Sequence, residues 1–192
     1  MNLYFEEENK KFSVKKIIKE VIIWVIEIAM VILLGYLTVN YTVERTTMIG
    51  ESMNPALQDG DKILINKVSY QFTEPNRFDV IVFKQSGSEH SYYNIKRVIG
   101  LPGETVQIAN GKLYIDGEQL NEPLLTDTIN IYGLAAEEIQ LDENEYFVLG
   151  DNRNSSEDSR FANVGNILAD DIIGKAWIRM NNFNFIDKLN QN

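Results

Sequence analysis

The sequence predicts a mainly β domain behind one N-terminal membrane-spanning helix. Three observations carry that expectation. From Val21 to Val39 the chain is almost continuously apolar, V-I-I-W-V-I-E-I-A-M-V-I-L-L-G-Y-L-T-V. Beyond it come short apolar runs of strand length, punctuated by Gly, Pro, Asn and Asp. Asn110-Gly111 lies between two such runs that alternate apolar and polar, a strong short-range hairpin signal.

The apolar segment suits a bilayer, which takes about 20 residues of helix. Glu27 is the one ionisable residue inside it, and its place in the cytoplasmic half lets it snorkel to the interface. Lys10, Lys11, Lys15, Lys16 and Lys19 precede the segment, and only Arg45 follows closely. That bias puts the N-terminus in the cytoplasm and the bulk of the chain outside. The exit, Gly35-Tyr36-Leu37-Thr38-Val39-Asn40, has no Ala-x-Ala pattern, so an uncleaved anchor is favoured over a leader peptide. The expected organisation is a cytoplasmic segment over 1–20, an anchor over 21–39 in contact with the lipid bilayer, and an extracytoplasmic domain over 41–192.

After the anchor the chain reads as strands. Asp59-Gly60-Asp61 is a turn that opens a strand over Lys62 to Val68. Asp79 to Lys84 holds a short continuous apolar run, the pattern of a buried strand. Ile95 to Ile99 is another, stopped by Leu101-Pro102-Gly103. Thr105 to Ala109 and Lys112 to Ile115 flank the Asn-Gly turn, and Asp116-Gly117 turns the chain again. Residues 118 to 140 are polar and irregular and read as excursions from the sheet. Tyr146 to Leu149 leads into a dense polar loop, Ile172 to Met180 is a last strand, and the Asn-rich tail reads as frayed.

The chain has 192 residues and no cysteine. Disulfides, thiolate nucleophiles and thiolate metal sites are thereby excluded. The formal net charge is −10, and from Tyr41 onward 13 Lys and Arg face 23 Asp and Glu. So acidic a domain excludes nucleic acid as a partner, because phosphate binding needs a basic face.

Three stretches carry candidate chemistry. Gly50-Glu51-Ser52-Met53-Asn54-Pro55 puts a serine among turn-forming residues soon after the anchor. A serine hydroxyl is a weak nucleophile until a base takes its proton. The single histidine, His90, lies in the polar stretch Gln85 to Ser91 and reads as a solvated loop residue. Lysine serves as the base only if its amine is neutral, which requires a pKa well below about 10.4. Burial lowers it. Lys96, in Asn94-Ile95-Lys96-Arg97-Val98-Ile99-Gly100, sits in a strand-like run, with Arg97 on the opposite face. Taken singly, Ser52 is as compatible with an ordinary turn, and Lys96 with a snorkelling surface lysine. The loop Gly150-Asp151-Asn152-Arg153-Asn154-Ser155-Ser156-Glu157-Asp158-Ser159-Arg160 reads by itself as a tight turn held by Arg153, Asp158 and Arg160. Its Asn154-Ser155-Ser156 is a glycosylation sequon, a cheap match.

Together, in this order and spacing, these stretches resemble the bacterial type I signal peptidases, the serine–lysine enzymes that remove signal peptides from exported proteins. The resemblance covers the anchor, Gly50 to Leu57, Gly60-Asp61 with its strand, Lys96 to Glu104, and Gly150 to Arg160. The single anchor and compact length are similar to the Gram-positive form, and the lysine separates the chain from the endoplasmic-reticulum enzymes, which use histidine there.

The resemblance implies a signal-peptidase-like β-sheet catalytic domain with no metal or cofactor. Its partners are the signal peptides of exported preproteins. It implies Ser52 as nucleophile, Lys96 as general base, and Ser156, Asp158 and Arg160 as supports of that dyad. The Ser52 N–H is one oxyanion donor. The position two residues earlier, which carries a serine hydroxyl in many relatives, is Gly50. Met48, Met53, Leu57 and Ile95 flank the dyad in sequence and are the candidate lining of shallow substrate pockets. Met48, Ile49 and Met53 are candidates for an apolar surface that meets lipid, with packing in the core as the alternative. Two rival functions remain: a self-cleaving repressor-type serine–lysine protease, and a non-enzymatic membrane-tethered β module for binding.

Overall fold

The computed structural model describes residues 14–84, 93–123 and 127–186. His90, Lys10, Lys11 and the end of the Asn-rich tail lie outside the described residues. The chain falls into two compact units, Met1–Tyr41 and Thr42–Asn192.

The first unit is formed by helix α1, Val14–Thr42, 29 residues long. Its side chains from Lys15 to Tyr41 are all exposed. Among the described residues no helix is long and apolar enough to cross a membrane. Glu27 is the one carboxylate of α1 between Val21 and Val39, a stretch without lysine or arginine. At 1.5 Å per residue the helix is about 43 Å long, against a hydrocarbon core of about 30 Å.

The second unit is β throughout its core. Its larger sheet contains β1 (Val43–Thr47), β2 (Lys62–Asn66), β3 (Val80–Phe83) and β4 (Asn94–Gly100). Four later strands join them: β9 (Glu145–Leu149), β10 (Ile167–Leu168), β11 (Ile172–Arg179) and β12 (Asn184–Phe185). The order is β1-β2-β11-β3-β4-β9-β10, with β12 paired to β11. Neighbours are antiparallel. Every residue of β3 is buried, which explains its continuous apolar run: a central strand covered on both faces needs no polar side. Ile81 of β3 pairs with Lys96 of β4 on one side and with Lys175 of β11 on the other.

The smaller sheet contains β5 (Thr105–Ala109), β6 (Lys112–Ile115), β7 (Glu118–Gln119) and β8 (Ile139–Gln140), in the order β7-β6-β5-β8. Asn110 and Gly111 both have positive φ, 51° and 74°. That is the geometry a two-residue hairpin turn demands and the reason for the Asn-Gly pair. Asp116 and Gly117 repeat it, at 51° and 79°, and lead into β7.

The predicted strands are present, with ends shifted by at most two residues: β2, β3 and β11 are shorter than expected, β4 and β9 longer, and β5 and β6 as expected. β2 ends at Asn66 because its side-chain Oδ1 accepts from the N–H groups of Val68 and Ser69 and turns the chain into a short helix, α2 (Ser69–Phe72). The reading missed β1 and the two-residue strands. The stretch over 118 to 140 is not simply an excursion, since it supplies β7, β8 and a short 3-10 helix at Gly133–Ala136. The tail expected to fray is ordered at Asn184–Phe185, where Phe185 pairs with Ile178.

Three apolar clusters fill the domain. Met48, Met53, Leu57, Ile63, Ile65 and Val82 belong to the first, which lies beneath the turn after β1. Val106, Ile108, Leu113, Ile115 and Phe147 belong to the second, behind the smaller sheet. Phe83, Val98, Tyr146, Val148 and Ile167 belong to the third.

Candidate active site

Ser52 sits on the turn that follows β1. The turn is tied at both ends. Met48 donates its N–H to Asp61 O at 2.8 Å, and Gly60 donates to Met48 O at 2.9 Å. Gly50 donates to the Asp59 carboxylate at 2.7 Å. Asn54 N–H reaches back to Glu51 O at 3.1 Å, and Met53, Ala56 and Leu57 anchor the turn in the core. Ser52 itself stays half-buried at the top.

Lys96 projects from β4, a central strand, and is only 6 % exposed. Its Nζ lies 2.9 Å from Ser52 Oγ. Burial pushes its pKa down, opposed by the attraction of the Asp158 and Glu157 carboxylates. Neither acid forms an ion pair with it among the described residues. A buried, unpaired amine beside a hydroxyl is the arrangement in which the amine takes a proton instead of carrying one.

The polar loop closes the site from the other side. Asp158 and Arg160 are fully buried and joined by two bonds, Nε to Oδ1 at 2.7 Å and Nη2 to Oδ2 at 2.8 Å. Asp158 Oδ2 also accepts from Gly150 N–H at 3.0 Å. Arg160 donates further to Arg153 O and Ile131 O. Gly150 is packed so closely that a methyl group on it would lie 2.2 Å from Ser156 Oγ and 2.4 Å from Ser52 O. Only glycine lets the two loops meet. Ser156 Oγ, beside that contact, is buried and has no hydrogen-bond partner among the described residues.

Two further buried pairs escaped the sequence reading. Arg97 grips Asp151 with Nε–Oδ1 at 2.7 Å and Nη2–Oδ2 at 2.6 Å. Arg153 makes a bidentate pair with Glu122 and donates Nε–H to Gly150 O at 3.1 Å. The signal available in the sequence was the arginine beside Lys96 and the acid beside Gly150, but nothing local pairs them.

The expected oxyanion groups divide. The Ser52 N–H has no acceptor among the described residues. The Gly50 N–H is already given to Asp59, and glycine adds no hydroxyl. The expected pocket residues Met48, Met53, Leu57 and Ile95 come together, but as members of one closed core cluster, each at most 3 % exposed. Of the three residues considered for a lipid-facing surface, Met48 and Met53 are buried and only Ile49 is exposed.

The family described as "Signal peptidase, peptidase S26" matches residues 21–181. The chain belongs to that family. Its relatives include signal peptidase I of Leptolyngbya laminosa, 39 % identical over 160 residues, which cover 80 % of this chain and 75 % of the relative. Signal peptidase I V of Bacillus subtilis is 37 % identical over 147 residues, 71 % of this chain and 82 % of the relative. Signal peptidase IB of Staphylococcus aureus is 33 % identical over 176 residues, 84 % of this chain and 90 % of the relative. Among solved structures, the crystal structure of a signal peptidase I from Enterococcus faecalis is 33 % identical, covering 54 % of this chain and 97 % of that one with a TM-score of 0.43. By the family match and these curated relatives the chain is a serine endopeptidase of the signal peptidase I family, and the substrates of that family are exported preproteins bearing signal peptides.

Proposed function

We propose that this peptidase removes N-terminal signal peptides from exported preproteins with Ser52 as nucleophile and Lys96 as general base, while α1 anchors it in the membrane. The observation that carries the dyad is the 2.9 Å contact between the Lys96 amine, buried and lowered in pKa, and the Ser52 hydroxyl.

The steps follow from the parts. Neutral Lys96 takes the Ser52 proton as Oγ attacks the scissile carbonyl. The Ser52 N–H, free of any other acceptor among the described residues, donates to the developing oxyanion, a bond worth roughly 3–4 kcal/mol in such sites. The lysine ammonium then protonates the departing amine. Water, deprotonated by the same lysine, releases the acyl group and restores the serine. Asp158 and Arg160 brace the loop through Gly150, and Ser156, packed beside that glycine with a hydroxyl unpartnered among the described residues, is the group left to orient the amine. No step calls for a metal or cofactor.

The anchor reading rests on the length of α1 and on its apolar composition. The lysine bias before the helix orients it with the N-terminus cytoplasmic and the catalytic domain outside.

Purified enzyme mixed with a preprotein should release the mature chain. Ser52→Ala should abolish cleavage with the fold intact. Lys96→Arg keeps the positive charge but does not deprotonate, so it should also be inactive. Wild-type activity should rise with pH through a midpoint below 10.5, the ordinary lysine value from which burial displaces Lys96. An active arginine variant would assign the base to another group. Protease added outside intact protoplasts should digest the domain beyond Tyr41. Its protection would overturn the topology.

A further inference from the structure

The nucleophile and its base sit on segments 44 residues apart in the chain, and one hydrogen bond of 2.9 Å joins their side chains. A second route connects them. Arg97, next to Lys96, is locked onto Asp151 by two bonds of 2.7 and 2.6 Å. Asn152, next to Asp151, bonds to both sides of Ser52. Its backbone N–H donates to Ser52 O at 3.0 Å. Its side-chain Nδ2 donates to Glu51 O at 3.2 Å.

Those two acceptors belong to the peptide planes on either side of the Ser52 Cα. In a trans peptide the carbonyl oxygen and the N–H lie on opposite sides of one rigid plane. Holding Glu51 O therefore aims the Ser52 N–H. Glu51 O also accepts from Asn54 N–H at 3.1 Å, within its own turn. That bond fixes the plane relative to the turn, whereas the Asn152 bond fixes it relative to the strand that carries the base. The turn holding Asn152 is itself tied down, because Ser155 N–H donates to Asn152 O at 3.0 Å.

We infer that Asn152 is a positioning residue for the oxyanion: its side-chain amide sets the direction of the Ser52 N–H, and through Asp151 and Arg97 it registers that N–H against Lys96. The inference rests on the Ser52–Lys96 reading of the site. Asn152 itself touches no reacting atom in this scheme. Its effect falls on the stabilisation of the transition state, not on substrate binding and not on the protonation of the lysine.

The test compares wild type, Asn152→Ala, Asn152→Asp and Ser52→Ala on a signal-peptide substrate, with rates referred to the folded fraction. A second substrate carries C=S in place of the scissile C=O. Asn152→Ala keeps the backbone bond to Ser52 O and loses the amide donor. Its kcat should fall by about 10-fold or more, with KM within about two-fold, the pattern of an interaction made only in the transition state. The midpoint of its kcat–pH profile should stay where it is in wild type, since Lys96 remains buried. Its preference for the oxygen over the sulfur substrate should shrink, because a misaimed N–H no longer rewards an oxyanion. Asn152→Asp preserves volume but offers only acceptors, and should lose at least as much. If the alanine variant does not fold, the aspartate variant carries the expectations for kcat, KM and the oxygen-to-sulfur preference, and not that for the pH midpoint, which its added carboxylate would itself raise. Unchanged kcat in either variant overturns the inference. So does a rise in KM alone, or a fall in kcat with a displaced pH midpoint and an unaltered oxygen-to-sulfur preference, which would put the effect on Lys96. An active Ser52→Ala is a different failure: it removes the dyad reading itself, whatever Asn152 does.

Discussion

The small sheet and the polar loop are built from opposite materials. Behind β5 and β6 the core is wholly apolar, and no charged residue of that sheet is buried among the described residues. In the loop from Asp151 to Arg160, by contrast, Asp151, Arg153, Asp158, Ser159 and Arg160 are all at most 5 % exposed. The first region gains stability from the area it removes from water, which is tolerant of small shifts. The second gives up the solvation of its charges and recovers it only through bonds of fixed length and direction. That difference matches what each does. Among the described residues the hairpin touches no residue of the proposed dyad, whereas the loop meets the Ser52 turn through Gly150 and Asn152.

Breaking the loop should therefore cost most. Asp158→Ala strands the buried Arg160 guanidinium and the Gly150 N–H, and breaking such a pair costs about 3–5 kcal/mol. Urea unfolding should show that loss, and activity per folded molecule should fall as well. If the folded fraction keeps full activity, the loop is structural only and the contrast between the regions disappears.

Lys96→Met should split stability from function. Lys96 has a pKa lowered by burial, so between that lowered value and 10.5 the unfolded chain binds a proton that the folded chain does not. Stability then rises with pH across that window, and the burial penalty is fully present below it. The methionine variant should be inactive yet melt higher than wild type near neutral pH, with the difference shrinking as pH approaches 10.5. A lower melting temperature for the variant would mean that the amine is held charged.

Ile108→Val, in the small sheet, should lose about 0.5–1.5 kcal/mol and leave activity per folded molecule unchanged. An effect on kcat would show that the two regions are coupled. The smallest expectation concerns the exposed Ile49. Ile49→Ser should leave stability within about 0.5 kcal/mol and leave cleavage of a soluble peptide unaltered. Comparing its rate on a preprotein in vesicles then isolates any contact between this one side chain and lipid.

The same contrast decides what could be read in the sequence. The hairpin was legible because its information is local: the alternation and the Asn110-Gly111 turn lie within a dozen residues. Ser52, Lys96 and the loop were visible as a combination of motifs, and the structure brings the first two within hydrogen-bond distance. The pairs Arg97–Asp151 and Arg153–Glu122 were not legible, since their partners lie 54 and 31 residues apart and a charge with no local partner looks like surface. β1, with the sequence Val-Glu-Arg-Thr-Thr, carries too little apolar pattern to announce itself, and its ladder with β2 makes it a strand. Met48, Met53, Leu57 and Ile95 were expected at the pocket because they neighbour the dyad in sequence, and their burial in one core cluster could not be read from that adjacency, since a neighbour on a turn or strand points away as often as towards.

Lys96 and Lys175 flank the same residue, Ile81, from opposite sides of β3. Lys175 is ion-paired to Asp79 at 2.6 Å. Lys96 has only a hydroxyl. Reagents that attack amines react with the unprotonated form alone, so the more buried lysine is the more nucleophilic of the two. A small electrophile such as cyanate should carbamoylate Lys96, 6 % exposed, ahead of Lys175 and silence the enzyme in proportion. The buried amine proposed as the base thus leaves a chemical vulnerability in the resting protein, and acidification, by protonating the amine, would shield it.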